Sequence, residues 1–126
     1  MRAVQPVVTV RSVHDSIEWY EKVFGLKASF RNEEPGEPKS VNYAVLRDQE
    51  ASLHLGLERD MENVAGQGAW NLVTDDFEQV LRNCKTANAV FFIEMSTIPT
   101  GQRTFGIKDP DGNLVTVVEA DRLGSE

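Results

Sequence analysis

Hydrophobic and polar positions along this chain follow two periods, and the periods change in the same order twice. Val4 to Val10 reads as a strand. Ile17, Tyr20, Val23 and Phe24 then fall at helical spacing, predicting a helix over about residues 14–24. Ser12 and Asp15 offer N-cap chemistry, and Gly25 ends the helix as a C′ glycine. A short strand over 26–31, a polar loop from Arg31 to Ser40, and a hairpin of Val41–Arg47 and Ser52–Leu57 complete the first unit.

The second unit repeats the order: a strand over Ala69–Val73, a helix from Asp75 to about Ala87, a strand over 89–94, a loop over 95–102 and a closing hairpin. In that hairpin, strands over 103–108 and 113–118 flank Asp109-Pro110-Asp111-Gly112, where Pro presets φ and Gly admits the positive φ a tight turn needs. Asp15, Ile17 and Glu18 recur as Asp75, Phe77 and Glu78, and Arg47-Asp48 recurs as Lys108-Asp109, which points to duplication. Each unit, of about sixty residues, is too small to bury a sheet alone, so two should pack together. The expected organisation is one domain over 1–126: module 1 (about 4–57), a linker (58–68), module 2 (about 69–119) and a short tail (120–126).

Composition narrows the partners. Of 126 residues 40% are hydrophobic and 26% charged, which is globular rather than disordered. A net charge of −7 without a Lys/Arg cluster argues against nucleic acid. The acidic surface favours a cationic ligand or serves solubility. Cys84 is the only cysteine, so no intramolecular disulfide forms. It reads as a buried small hydrophobe. Without an apolar run of spanning length or a signal-peptide core, no membrane partner and a cytoplasmic location are expected.

The first-helix run Asp15-Ser16-Ile17-Glu18-Trp19-Tyr20 through Phe24-Gly25-Leu26, with the Asp109-Pro110-Asp111-Gly112-Asn113 hairpin, resembles the vicinal oxygen chelate superfamily. That group includes glyoxalase I, extradiol dioxygenases, and fosfomycin and bleomycin resistance proteins. The likeness is strongest to the bleomycin-resistance members, through Pro6-Val7-Val8-Thr9-Val10-Arg11 and Arg103 to Asn113. The resemblance implies an α+β fold: paired βαβββ modules forming a concave, partly closed mixed sheet with helices outside. It also implies a homodimer, in some members with exchanged modules.

Metal-dependent members of such a family take His, Glu or Gln ligands from four concave strand positions. Here those positions hold Gln5, His54, either Gly68 or Ala69, and Thr116 in place of a carboxylate. Alternation sets Leu53, Leu55 and Leu57 against a helix and turns Ser52, His54 and Gly56 inward. It likewise turns Leu114, Thr116 and Val118 inward and sends Glu119 to the other face, where a solvated carboxylate is expected. Glu33, Glu34 or Glu94 could complete a metal site, although no spacing argues for it; His14 reads as a surface or capping residue.

The expected function is therefore a metal-free protein, with no cofactor, that sequesters a small aromatic or cationic molecule in a cleft, of the drug-resistance type. His54, Trp70, Tyr43, Phe92, Phe105, Thr116 and Gln5 are its candidate ligand-binding residues. Trp70 is read either as pocket lining or as core. Acidic residues of Glu33-Glu34-Pro35-Gly36-Glu37 could attract a cation. The alternative is a lyase, isomerase or dioxygenase using His54, the best catalytic candidate, and Gln5, with or without a divalent metal.

Overall fold

The structure is a computed structural model that describes residues 4–33 and 41–121. Its element order is β1 (Val7–Val10), α1 (Val13–Phe24), β2 (Lys27–Glu33), β3 (Val41–Asp48), β4 (Ala51–Leu57), α2 (Glu58–Met61), β5 (Ala69–Thr74), α3 (Phe77–Thr86), β6 (Val90–Thr97), β7 (Arg103–Lys108) and β8 (Leu114–Glu119). The strands form two four-stranded mixed sheets, ordered β1-β4-β3-β2 and β5-β8-β7-β6. In each, the first strand pairs parallel with the last and the rest pair antiparallel. This is the α+β arrangement of paired βαβββ units, and neither sheet closes into a barrel.

Local chemistry accounts for the elements. Ser12 caps α1 by accepting from the Asp15 N–H, and Gly25 ends it at φ 72° with its N–H on Glu21 O. The helix buries Val13, Ser16, Ile17, Tyr20, Val23 and Phe24, while α3 buries Phe77, Val80 and Cys84. Val8, Val10, Leu53 and Leu55 from one sheet and Phe105, Ile107, Val115 and Val117 from the other join these helix residues in one continuous core. Asn83 of α3 donates to Val23 O of α1 at 3.1 Å, tying the helices together.

Four stretches differ from the sequence reading. The first strand begins at Val7 and not at Val4. The second strand runs on to Glu33, and residues 34–40 lie outside the described set. The expected linker opens with the four-residue helix α2. The strand after α3 extends through Thr97, with register shifts at Phe91/Ile93 and Ile93/Ser96 that keep it paired where a loop was expected.

The two units meet at the signature turn. Asp109 is 5% exposed and Asn113 fully buried. Asp109 Oδ1 accepts from the N–H groups of Asp111 (2.9 Å) and Asn113 (2.8 Å). Its Oδ2 accepts from Tyr20 Oη of α1 (2.7 Å) and Asn113 Nδ2 (2.9 Å). Asn113 also donates to Thr9 O at 3.1 Å and accepts from Gly68 N–H at 2.7 Å. Arg11 reaches Asp111 with both its N–H and its guanidinium. The turn of module 2 is thus bolted to β1 and α1 of module 1. Burial, and next the Asp109 carboxylate, hold the Tyr20 phenol well above its ordinary pKa, so it stays a donor.

Candidate functional site

Strand pairing builds the concave face of module 1 row by row. Val7, His54, Val45 and Phe30 form one row across β1, β4, β3 and β2; Thr9, Gly56, Tyr43 and Asn32 form the next. Residues in one row share a face because each stands directly opposite its partner. The opposite face carries the buried Val8, Leu55 and Ala44. His54 therefore stands beside Tyr43 on the next strand. Its Nδ1 lies 2.6 Å from Tyr43 Oη, and its Nε2 lies 2.7 Å from Gln5 Oε1. Gln5 is brought there by the His54 N–H, which donates to Pro6 O at 3.0 Å. Burial raises the Tyr43 pKa and keeps its hydroxyl protonated.

Apolar side chains flank this polar chain on a face that also carries Thr9, Asn32 and Arg47. Val7 and Phe30 are exposed within the His54 row. Met61 of α2 lies over Gly56, where a Cβ would come within 2.6 Å of its sulfur. Sequence reasoning missed Met61 and Phe30. The alternation of β2 could have flagged Phe30, whereas Met61 arrives through a helix the linker composition did not signal.

On module 2 the corresponding row is Asn71, Thr116, Gly106 and Ile93. Thr116 faces the concave side, between buried Val115 and Val117. Phe92 also lies on this side: a Cβ on Gly106 would meet its ring at 2.7 Å. Asn71 opposite Thr116 matches Val7 opposite His54, so the position equivalent to Gln5 is Ala69.

Two expected lining residues lie elsewhere. Trp70 packs on α1, its ring 6.0 Å from Tyr20 and 6.1 Å from Phe24, because alternation sends it to the helix side with Leu72. Phe105 is fully buried between Phe77 (5.2 Å) and Phe91 (5.6 Å), opposite Val117 in the hairpin. Glu119 is off the concave face but is not solvated. Its side chain is 13% exposed and pairs with Arg103 at 2.7 Å. Arg103 also binds Glu78 and lies 4.7 Å over the Phe77 ring, which ties the strand end to α3. Glu33 and Glu94 are exposed strand residues, and Glu34, Pro35, Gly36 and Glu37 lie outside the described residues.

Of Gln5, His54, Ala69 and Thr116, only Gln5 and His54 carry His, Glu or Gln donors, and those two are hydrogen-bonded to each other. The set does not fit a divalent ion, which needs about three strong protein ligands. Among the described residues, His14, Asp15 and Glu18 are a separate donor group on α1, formed by one histidine beside two exposed carboxylates. Cys84 is buried, and burial pushes its thiol up to about 12, so it supplies no thiolate at neutral pH.

Two βαβββ units back-packed by helices, with polar groups gathered on a concave face, define the vicinal oxygen chelate architecture. Residues 2–117 match the Glyoxalase/Bleomycin resistance protein/Dioxygenase superfamily, and the chain belongs to it. The Bacillus subtilis (strain 168) protein YwbC, itself uncharacterized, is 28% identical over 118 residues, covering 86% of this chain and 89% of its own. Among solved structures, a bleomycin resistance determinant encoded on transposon Tn5 superposes with TM-score 0.71 at 17% identity, covering 96% of this chain and 99% of its own. Lactoylglutathione lyase from Agrobacterium tumefaciens superposes with TM-score 0.73 at 20% identity over 98% of both chains. At such identities the structures share the fold.

Proposed function

We propose that this chain binds a small aromatic or cationic molecule on its concave sheet faces without a metal, in the manner of a drug-sequestering protein. The observation that carries this reading is the closed Gln5–His54–Tyr43 chain. The two ligand-type side chains bond each other and a phenol, on a face lined by Val7, Phe30 and Met61. Thr116 and Phe92 on module 2 extend the lining. Exposed apolar residues on both sheets (Val7, Phe30, Val73, Phe92 and Ile93) favour a homodimer that covers these faces and completes the cleft. The buried free thiol of Cys84 suits a reducing cytoplasm.

Elemental analysis of protein purified without chelator, paired with a thermal-shift series of planar cationic compounds, tests the proposal. Absence of stoichiometric metal together with heat stabilisation by such compounds supports it. Stoichiometric zinc, nickel, manganese or iron overturns it. One observation favours the second reading, an enzyme. The short His54–Tyr43 contact is a geometry for acid–base chemistry, and turnover of a carbonyl substrate lost in His54→Gln would establish it.

A further inference from the structure

We infer that Gln5 fixes the protonation pattern of the His54–Tyr43 pair, so that the concave site presents Tyr43 Oη as a hydrogen-bond acceptor and selects ligands that offer a donor. The inference rests on the ligand-binding reading above and names the ligand chemistry of the same site. Gln5 Oε1 only accepts, so the hydrogen in the 2.7 Å contact belongs to His54 Nε2. A neutral imidazole has one N–H, which leaves Nδ1 a bare lone pair. The 2.6 Å contact is then Tyr43 Oη–H donating to Nδ1.

The single hydroxyl hydrogen of Tyr43 is engaged within the protein, and its oxygen keeps lone pairs for a ligand. Donating to the imidazole enriches that oxygen, which strengthens it as an acceptor. The Gln5 amide nitrogen keeps its two hydrogens for a ligand acceptor. A protonated amine or an amide N–H finds a partner at Tyr43, with the ring of Phe30 one row away on the same face for an apolar body. A carboxylate placed at the same oxygen meets lone pairs instead. Arg47 stands on the same face, one row from His54 and two from Tyr43, so the preference is a property of the Tyr43 position.

Gln5 is a positioning residue in this scheme, and its test reads a property that packing alone does not set. Long-range ¹H–¹⁵N spectra of the intact labelled protein report which imidazole nitrogen carries hydrogen, and His14→Gln leaves only the His54 signals. The expected result is hydrogen on Nε2 in the wild type, a mixture of tautomers in Gln5→Leu, and recovery of the Nε2–H form in Gln5→Glu, whose carboxylate still accepts. Titration with 4-methylbenzylamine and its isostere 4-methylbenzoate forms the second arm. The amine should bind about tenfold more tightly and lose about tenfold in Tyr43→Phe, a factor equivalent to about 1.4 kcal/mol. Hydrogen on Nδ1 in the wild type, preference for the carboxylate, or an unchanged amine affinity in Tyr43→Phe overturns the inference while leaving ligand binding intact. Failure of both probes to move any concave-face resonance overturns the ligand-binding reading and this inference together.

Discussion

Asp109 with its partners and His54 with its partners are both compact polar clusters built around one titratable side chain. They differ in burial and in saturation. Asp109 is sealed between the two units, and four donors fill its two oxygens. His54 stands on an open sheet face, where Tyr43 and Gln5 still have unused hydrogen-bonding capacity. A buried, saturated cluster has nothing left to offer a ligand, and losing one member strands the others in a dry interior. A half-open cluster is cheap to disturb and free to bind. The motif that marks the family is therefore architecture in this chain: Asp109-Pro110-Asp111-Gly112-Asn113 reports how the modules are joined and says little about chemistry.

The sharpest way to break this contrast is Asp109→Ala. It leaves the Tyr20 hydroxyl, the Asn113 amide and two backbone N–H groups without their acceptor, and should cost about 3–5 kcal/mol. Urea denaturation followed by far-UV circular dichroism measures it. Gly66→Ala comes next. Gly66 sits at φ 85°, and a Cβ there would lie 2.2 Å from the Asp111 carbonyl oxygen. The linker docks on the same turn at this point, and strain of this kind costs about 1–3 kcal/mol.

The third effect is a pH slope. The Cys84 thiol is raised from 9.0 to about 12, and Tyr20 well above 10.0. Above pH 9 the unfolded chain sheds the thiol proton while the folded chain keeps it. Stability is thus full below pH 9 and falls as pH rises towards 12, by about 1.4 kcal/mol per pH unit for each group. Tyr20 joins above pH 10, so Tyr20→Phe should flatten the profile there in urea titrations at pH 8 to 11. The smallest effect on stability belongs to the open cluster. Tyr43→Phe should change unfolding by under about 1 kcal/mol, since water can replace the lost partner.

Much of the frame was legible in the sequence because alternation and turn chemistry are local. Leu53 and Leu55 against Ser52 and His54, Val115 and Val117 against Thr116, and the Ser12 and Gly25 helix ends all follow from residue order. Phe105 was misplaced in the cleft although its burial could have been read: the 109–112 turn pairs it with Val117, which alternation sends to the helix side. Trp70 was harder, since a one-residue slip reverses it and only its packing on Tyr20 and Phe24 decides. The Tyr43–His54–Gln5 contacts join three segments far apart in sequence. Each residue could be nominated alone, but their meeting depends on the β1–β4 and β3–β4 registers. The Arg103–Glu119 pair escaped for the same reason: alternation gave the face of Glu119 and not its partner.

The central claim, that ligand chemistry resides on the open concave face and the signature turn only holds the modules together, is tested most directly by chemical-shift mapping. Titrating ¹⁵N-labelled protein with 4-methylbenzylamine should move the resonances of Gln5, Tyr43 and His54, leaving Tyr20, Asp109 and Asn113 in place. Shifts centred on the Asp109 turn, with the Tyr43 and His54 resonances unmoved, would contradict it.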